Sequence, residues 1–164
     1  MTVGVAPSLI SRIRGFRPAA WYRYGVGLTI AGGKVSRWED FSGNKRPLLQ
    51  ATGAAQPVAD GKGGITCDGA ATFMQAAFTL GNGATIGYLL NQVAFSDGNV
   101  IADGGTSGVG ANGALVQTTT SPNLTLNCGS AACTATGAAL TKWVTVIAVA
   151  NSTKSLLFTE QVAA

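Results

Sequence analysis

The chain contains no histidine. That removes the usual general base for a serine or cysteine nucleophile, and the commonest nitrogen ligand for a transition metal. Charge is scarce as well. Asp, Glu, Lys and Arg make up 11% of the 164 residues, against roughly 25% in an average soluble domain. A chain so poor in charge stays soluble most easily when neighbouring molecules cover part of it. Only seven residues are acidic. None falls in the Glu-x-Asp-x-x-Glu spacing that sets carboxylates on one face of a strand for glycoside hydrolysis. Glu39 and Asp40 are adjacent and point to opposite faces of an extended chain. Asp97 and Asp103 have no glutamate near them in sequence. Catalysis is therefore not expected.

Cysteine is equally uninformative as a site. Cys67, Cys128 and Cys133 are odd in number, which argues against a disulfide framework. Cys128 and Cys133 either close a small loop or remain two free thiols. With no histidine and no fourth ligand, zinc is excluded, and reduced thiols suit assembly in a cytoplasm. Asp68, Asp97, Asn99 and Asp103 offer oxygen ligands but no dense cluster with calcium spacing. Gly104, Gly105, Gly108 and Gly110 are not followed by the Lys-Ser/Thr of a phosphate loop. No metal and no cofactor are expected. There is no run of 18 apolar residues, and residues 1–20 lack the apolar core and cleavage pattern of a signal peptide, so neither a membrane span nor export is expected.

What the chain does have is glycine (23 residues), small polar residues and short β-branched runs. That composition suits many short strands and tight turns rather than a helical bundle. Leu28-Thr29-Ile30 and Val35-Ser36-Arg37-Trp38 flank Ala31-Gly32-Gly33-Lys34 and predict a hairpin. Ala19 to Arg23 is an apolar, aromatic run. Phe41 to Lys45 is turn-forming, Gln56-Pro57-Val58 and Gly61 to Gly64 read as loops, and Ile65-Thr66-Cys67 runs into an Asp68-Gly69 turn. Further strands are expected at 84–95 with a bend near Asn91, at 100–102, 114–118 and 123–127, at 143–149 as a central strand, and at 156–158. Signals every 8–12 residues point to a sandwich or barrel. No repeat or linker interrupts them, so one domain over 18–164 is expected after an arm over 1–17.

The arm carries its own pattern. Ser8 caps a short segment in which Leu9, Ile10 and Ile13 share a side, followed by Phe16. Arg12, Arg14 and Arg17 belong to the eight basic residues placed before position 47. Such a segment docks to a protein neighbour and orders as it binds. The basic residues are too scattered along the chain for a nucleic-acid footprint, so nucleic acid is not expected as a partner.

The order Trp21, Leu28-Thr29, Gly32-Gly33, Trp38-Glu39-Asp40-Phe41-Ser42-Gly43-Asn44, Gln50-Ala51-Thr52, Gln56-Pro57 and Cys67-Asp68-Gly69 resembles the opening of laminin-G-like, concanavalin-A-like jelly rolls found in phage virion proteins and bacterial surface proteins. Ala84–Leu90, Asp103-Gly104-Gly105 and Trp143-Val144-Thr145-Val146 fit its later part. Cys67 departs from the phenylalanine common there, and family members carry further strands after the position of Phe158. The sandwich is accordingly abbreviated, completed by another chain, or continued beyond Ala164. The resemblance implies an all-β concanavalin-A-like jelly-roll β-sandwich with a short N-terminal arm. It also implies a non-catalytic bacteriophage virion protein, decorating a capsid or forming part of a tail or fibre, assembled in the host cytoplasm. Its expected partners are other virion proteins and further copies of itself. Leu9, Ile10, Arg12, Ile13, Arg14, Phe16 and Arg17 are the candidate docking residues. The alternative is a lectin-like module for host-surface glycans. Among the aromatics Tyr22, Tyr24, Trp38 and Tyr88, Tyr24 is the one expected at the surface. With Asp97, Asn99 and Asp103 it forms the candidate glycan site.

Overall fold

The computed structural model describes residues 17–78, 83–103, 114–118, 120–128, 131–136, 138–150 and 154–162. The chain divides into two compact units, with the boundary between Phe78 and Thr79. Among the described residues regular structure is almost entirely antiparallel β, with one short 3-10 turn at Gly53–Ala55.

In the first unit, β1 (Leu28–Ala31) and β2 (Lys34–Trp38) form the predicted hairpin. Ala31 pairs with Lys34 across a two-residue loop, and Gly32 and Gly33 both have positive φ (57° and 78°). That geometry matches the right-handed strand twist and is costly for residues with a Cβ. The register slips between Thr29 and Ile30, where Ser36 is the extra, bulged residue of β2. On its other side β2 pairs with β3 (Leu48–Leu49) at Arg37 and Trp38, and with β4 (Val58–Ala59) at Lys34; β4 in turn pairs with β5 (Ile65–Thr66). The expected loop at Val58 is thus partly a strand. Val35 and Pro57 are fully buried, and the Val35 N–H donates to the Pro57 carbonyl at 2.9 Å.

The second unit holds two sheets. One is a meander of β7 (Val100–Ala102), β8 (Ala114–Gln117), β9 (Leu124–Cys128) and β10 (Ala131–Ala135). The other orders β12 (Leu156–Gln161), β11 (Trp143–Ala150) and β6 (Ala84–Asn91), with β11 in the centre as its β-branched density predicts. Alternation decides which side chains meet. Val144 and Val146 of β11 pack against Leu115, Leu124 and Ala138, and Ala148 packs against Leu126; all seven are fully buried. Tyr88, Leu90 and Leu157 fill in around them. Each such Val or Leu contributes roughly 1.5–3 kcal/mol of burial. The short strand β10, made of Ala, Cys and Thr, escapes a propensity reading. It forms because β9 offers it a ladder, reinforced by a Thr125–Thr134 hydroxyl contact of 2.9 Å on directly paired residues.

Candidate functional site

The segment from Trp38 to Arg46 acts on the residues before the hairpin. Residues 19–23 form no ladder; one backbone bond, from the Phe41 N–H to the Trp21 carbonyl at 2.8 Å, and several side chains hold them. The Trp38 indole N–H is shared between the carbonyls of Arg23 and Val26, at 3.1 Å each. The Asp40 carboxylate accepts from the Trp21 N–H (2.9 Å), from the N–H and hydroxyl of Ser42 (2.8 and 2.7 Å) and from the Arg46 N–H (3.0 Å). Asn44 donates to the carbonyls of Pro18 and Ala19. The Tyr22 hydroxyl donates to the Arg46 carbonyl at 2.6 Å. Arg23 lies between the rings of Trp21 and Phe41, 5.5 and 5.3 Å from their centroids. Partial burial works to raise the Asp40 carboxyl, but the hydrogen bonds from Ser42, Arg46 and Trp21 outweigh it and hold it below its ordinary value. Burial, reinforced by the Asp40 charge, pushes the Tyr22 phenol up to about 12.

Two other carboxylates do the same work in their own turns. Asp60 accepts from the N–H groups of Lys62 and Gly64 at 2.8 Å each. Asp68 accepts from the N–H groups of Ala70, Ala71 and Thr72 and from the Thr72 hydroxyl. These amides, Thr72 foremost, hold Asp68 far below its ordinary value. At Asp60, burial is outweighed by the amides and by the Tyr24 hydroxyl, and the carboxyl is again lowered. Glu39 pairs with Arg37, whose hydrogen bond lowers the glutamate. Each acid of the first unit is an acceptor for groups of its own turn or strand, and Asp40 and Asp60 also accept from Trp21 and Tyr24. A proton donor at neutral pH would need the opposite shift.

Tyr24 stands on a rim made by two turns. Its ring lies against Gly64 and its hydroxyl is bonded to Asp60, while 43% of the residue stays exposed. The Gly25 N–H donates to the Gly63 carbonyl at 3.0 Å, and the turns approach so closely that a Cβ on Gly63 would sit 2.1 Å from the Gly25 Cα. The other candidate glycan residues belong to the second unit. Asp97 and Asn99 share a turn tied down by Gly98 N–H to the Gln117 carbonyl and by Gln117 N–H to the Asn99 carbonyl. Strand β7 separates that turn from Asp103, about 13 Å further along an extended chain. Asp97 precedes β7 in the chain and Asp103 follows it. Among the described residues no three Asp, Glu or Cys side chains gather in a way that could hold a metal ion.

Of the candidate docking residues, Arg17 is exposed and adopts a left-handed backbone (φ 45°). Leu9, Ile10, Arg12, Ile13, Arg14 and Phe16 lie outside the described residues, as do the glycines from Gly104 to Gly110. Cys133 is a free thiol whose S–H donates to the Ser155 carbonyl at 2.8 Å, so the small-loop disulfide is not formed.

A feature the motif search passes over is the outer face of the β6–β11–β12 sheet. Ile147 pairs with Gly87 on one side and Phe158 on the other; Thr145 pairs with Leu89 and Glu160; Val149 pairs with Thr85 and Leu156. Directly paired residues share a face, so these side chains form one surface opposite the core. Leu89, Ile147, Leu156 and Phe158 are 52, 43, 51 and 55% exposed. The sequence signal is the run from Trp143 to Ala150, apolar except at Thr145. A strand covered on one face alternates; one apolar on both faces is built to be covered on both. The chain matches no protein-family model, no curated protein and no solved structure.

Proposed function

We propose that the chain is a non-catalytic structural module that works by packing against other protein subunits. In this reading it is a concanavalin-A-like jelly roll of a bacteriophage virion, in a capsid decoration or a tail or fibre, fastened by residues 1–17. The observation that carries the reading is the outer face of the β6–β11–β12 sheet, where large apolar side chains lie in water around a single charge, Glu160. A patch of that kind marks an interaction surface. Two further features support it. The carboxylates of the first unit are committed to their own turns, and the arm combines apolar residues with arginines that suit docking. Carbohydrate binding is the second reading, favoured by the exposed Tyr24 ring beside the Asp60 carboxylate.

The test is co-sedimentation with purified virus particles stripped of the native protein. The full chain is expected to pellet with the particles and a chain lacking residues 1–17 to stay in the supernatant. If neither pellets, virion attachment fails, and binding of the full chain but not Tyr24→Ala to a glycan array would support the second reading.

A further inference from the structure

We infer that the outer face of the β6–β11–β12 sheet packs against the same face of a second copy of this chain, related by a two-fold axis. The inference rests on the proposed reading of that face as an assembly surface and names its occupant. Charge argues first. Among the residues that the register of β6, β11 and β12 sets on this face, none is basic. A nucleic acid or an acidic protein would find nothing to pair with. Its one ionised group, Glu160, belongs to the edge strand β12, where water reaches it. A face without cations and with one marginal anion meets its own copy with little like-charge opposition, which few unrelated protein surfaces would offer.

Size argues next. Two strands of eight residues and one of six span about 14 by 20–26 Å, and projecting side chains raise the accessible surface to about 600 Å² per copy. Two such faces pressed together remove on the order of 1,200 Å², the lower end for a stable interface. Sheets pack face to face in this way about 10 Å apart, interdigitating their side chains. The relief suits it too. Gly87 is paired with Ile147, and a Cβ added at Gly87 would meet nothing within 4 Å. The hollow beside Ile147 is of side-chain size and open to a knob from the partner. An isologous contact of this kind closes at two copies.

The experiment is analytical ultracentrifugation of the full chain in a Cys67→Ser background, which removes an exposed free thiol. A monomer–dimer equilibrium is expected. Ile147→Lys should raise the half-association concentration about 30-fold or more, the mark of a central interface residue. Ile30→Lys, at a position 51% exposed in the first unit, should leave it unchanged. Should Ile147→Lys fail to fold by circular dichroism, Phe158→Ser on the edge strand must weaken the dimer instead. A monomer at about 100 μM, a trimer, or a dimer indifferent to both face variants overturns the inference. The two proposals fail separately. A monomer that still co-sediments with particles sinks only the self-pairing; a face-dependent dimer that never co-sediments sinks only the virion reading.

Discussion

Replacing Gln117 by leucine should cost the second unit about 4–6 kcal/mol. Gln117 is 5% exposed and sits at the end of β8. Its amide donates to the Gln92 side-chain oxygen at 2.7 Å and to the Ala94 carbonyl at 2.8 Å, and its own oxygen accepts from the Ser96 N–H at 3.1 Å. Gln92, also 5% exposed, passes the network on to the Ala138 and Pro122 carbonyls at 2.8 and 3.2 Å. Leucine has nearly the same volume, so no cavity opens. The loss is three hydrogen bonds at about 1 kcal/mol each, plus about 1–3 kcal/mol for leaving the Gln92 oxygen dry and unpaired. Against a total stability of about 5–15 kcal/mol, that is a large fraction. Urea unfolding of wild type, Gln117→Leu, Gln92→Leu and the double variant, followed by circular dichroism, measures it. Gln92→Leu removes the group that Gln117 strands, so the double variant should cost about 1–2 kcal/mol less than the two singles added. A single-variant cost below about 1 kcal/mol, or costs that add within about 0.5 kcal/mol, would show that the pair is not a dry network.

Two more outcomes follow from the first unit. Asp40, Asp60 and Asp68 lie lower in the folded chain than the usual value of about 4. Their stabilisation is present above pH about 4 and is lost as pH falls further. Tyr22 lies higher, at about 12, so its contribution is present below pH about 10 and is lost as pH rises through its folded value. Urea midpoints read by tryptophan fluorescence should fall at both extremes, with Asp40→Asn flattening the acid limb and Tyr22→Phe the alkaline one; a midpoint constant from pH 2.5 to pH 6 refutes the carboxylate assignment. Gly63→Ala should cost about 3 kcal/mol or more, because φ is +103° and the added methyl would meet the Gly25 backbone. Gly61→Ala, at φ +75° but in open space, should cost about 1–2 kcal/mol. Equal costs in thermal melts would mean that the close approach of the two turns is not maintained in solution.

The local devices were legible in the chain itself. A two-glycine loop between β-branched runs is a hairpin wherever it occurs, and β1–β2 follows from it. The β-branched run after Lys142 is a central strand because only a strand with two neighbours accommodates such density. Asp40, Asp60 and Asp68 could be read as turn formers, since a carboxylate two to four residues before free amides caps them locally.

What sequence alone did not reveal is long-range. Ala19 to Arg23 looks like a strand, yet it is held by Trp38, Asp40 and Asn44, partners 15 to 25 residues away. β10 has no propensity of its own and exists through its ladder with β9. Gln92 and Gln117 are ordinary polar residues until folding buries them 25 residues apart in one network. The outer face of the β6–β11–β12 sheet is assembled from three separated segments, and only their register sets Leu89, Ile147 and Phe158 on one side. Hydrophobic periodicity is a property of neighbours along the chain, whereas an exposed surface is a property of which strands pair and of what is left uncovered. Tertiary structure alone decides that.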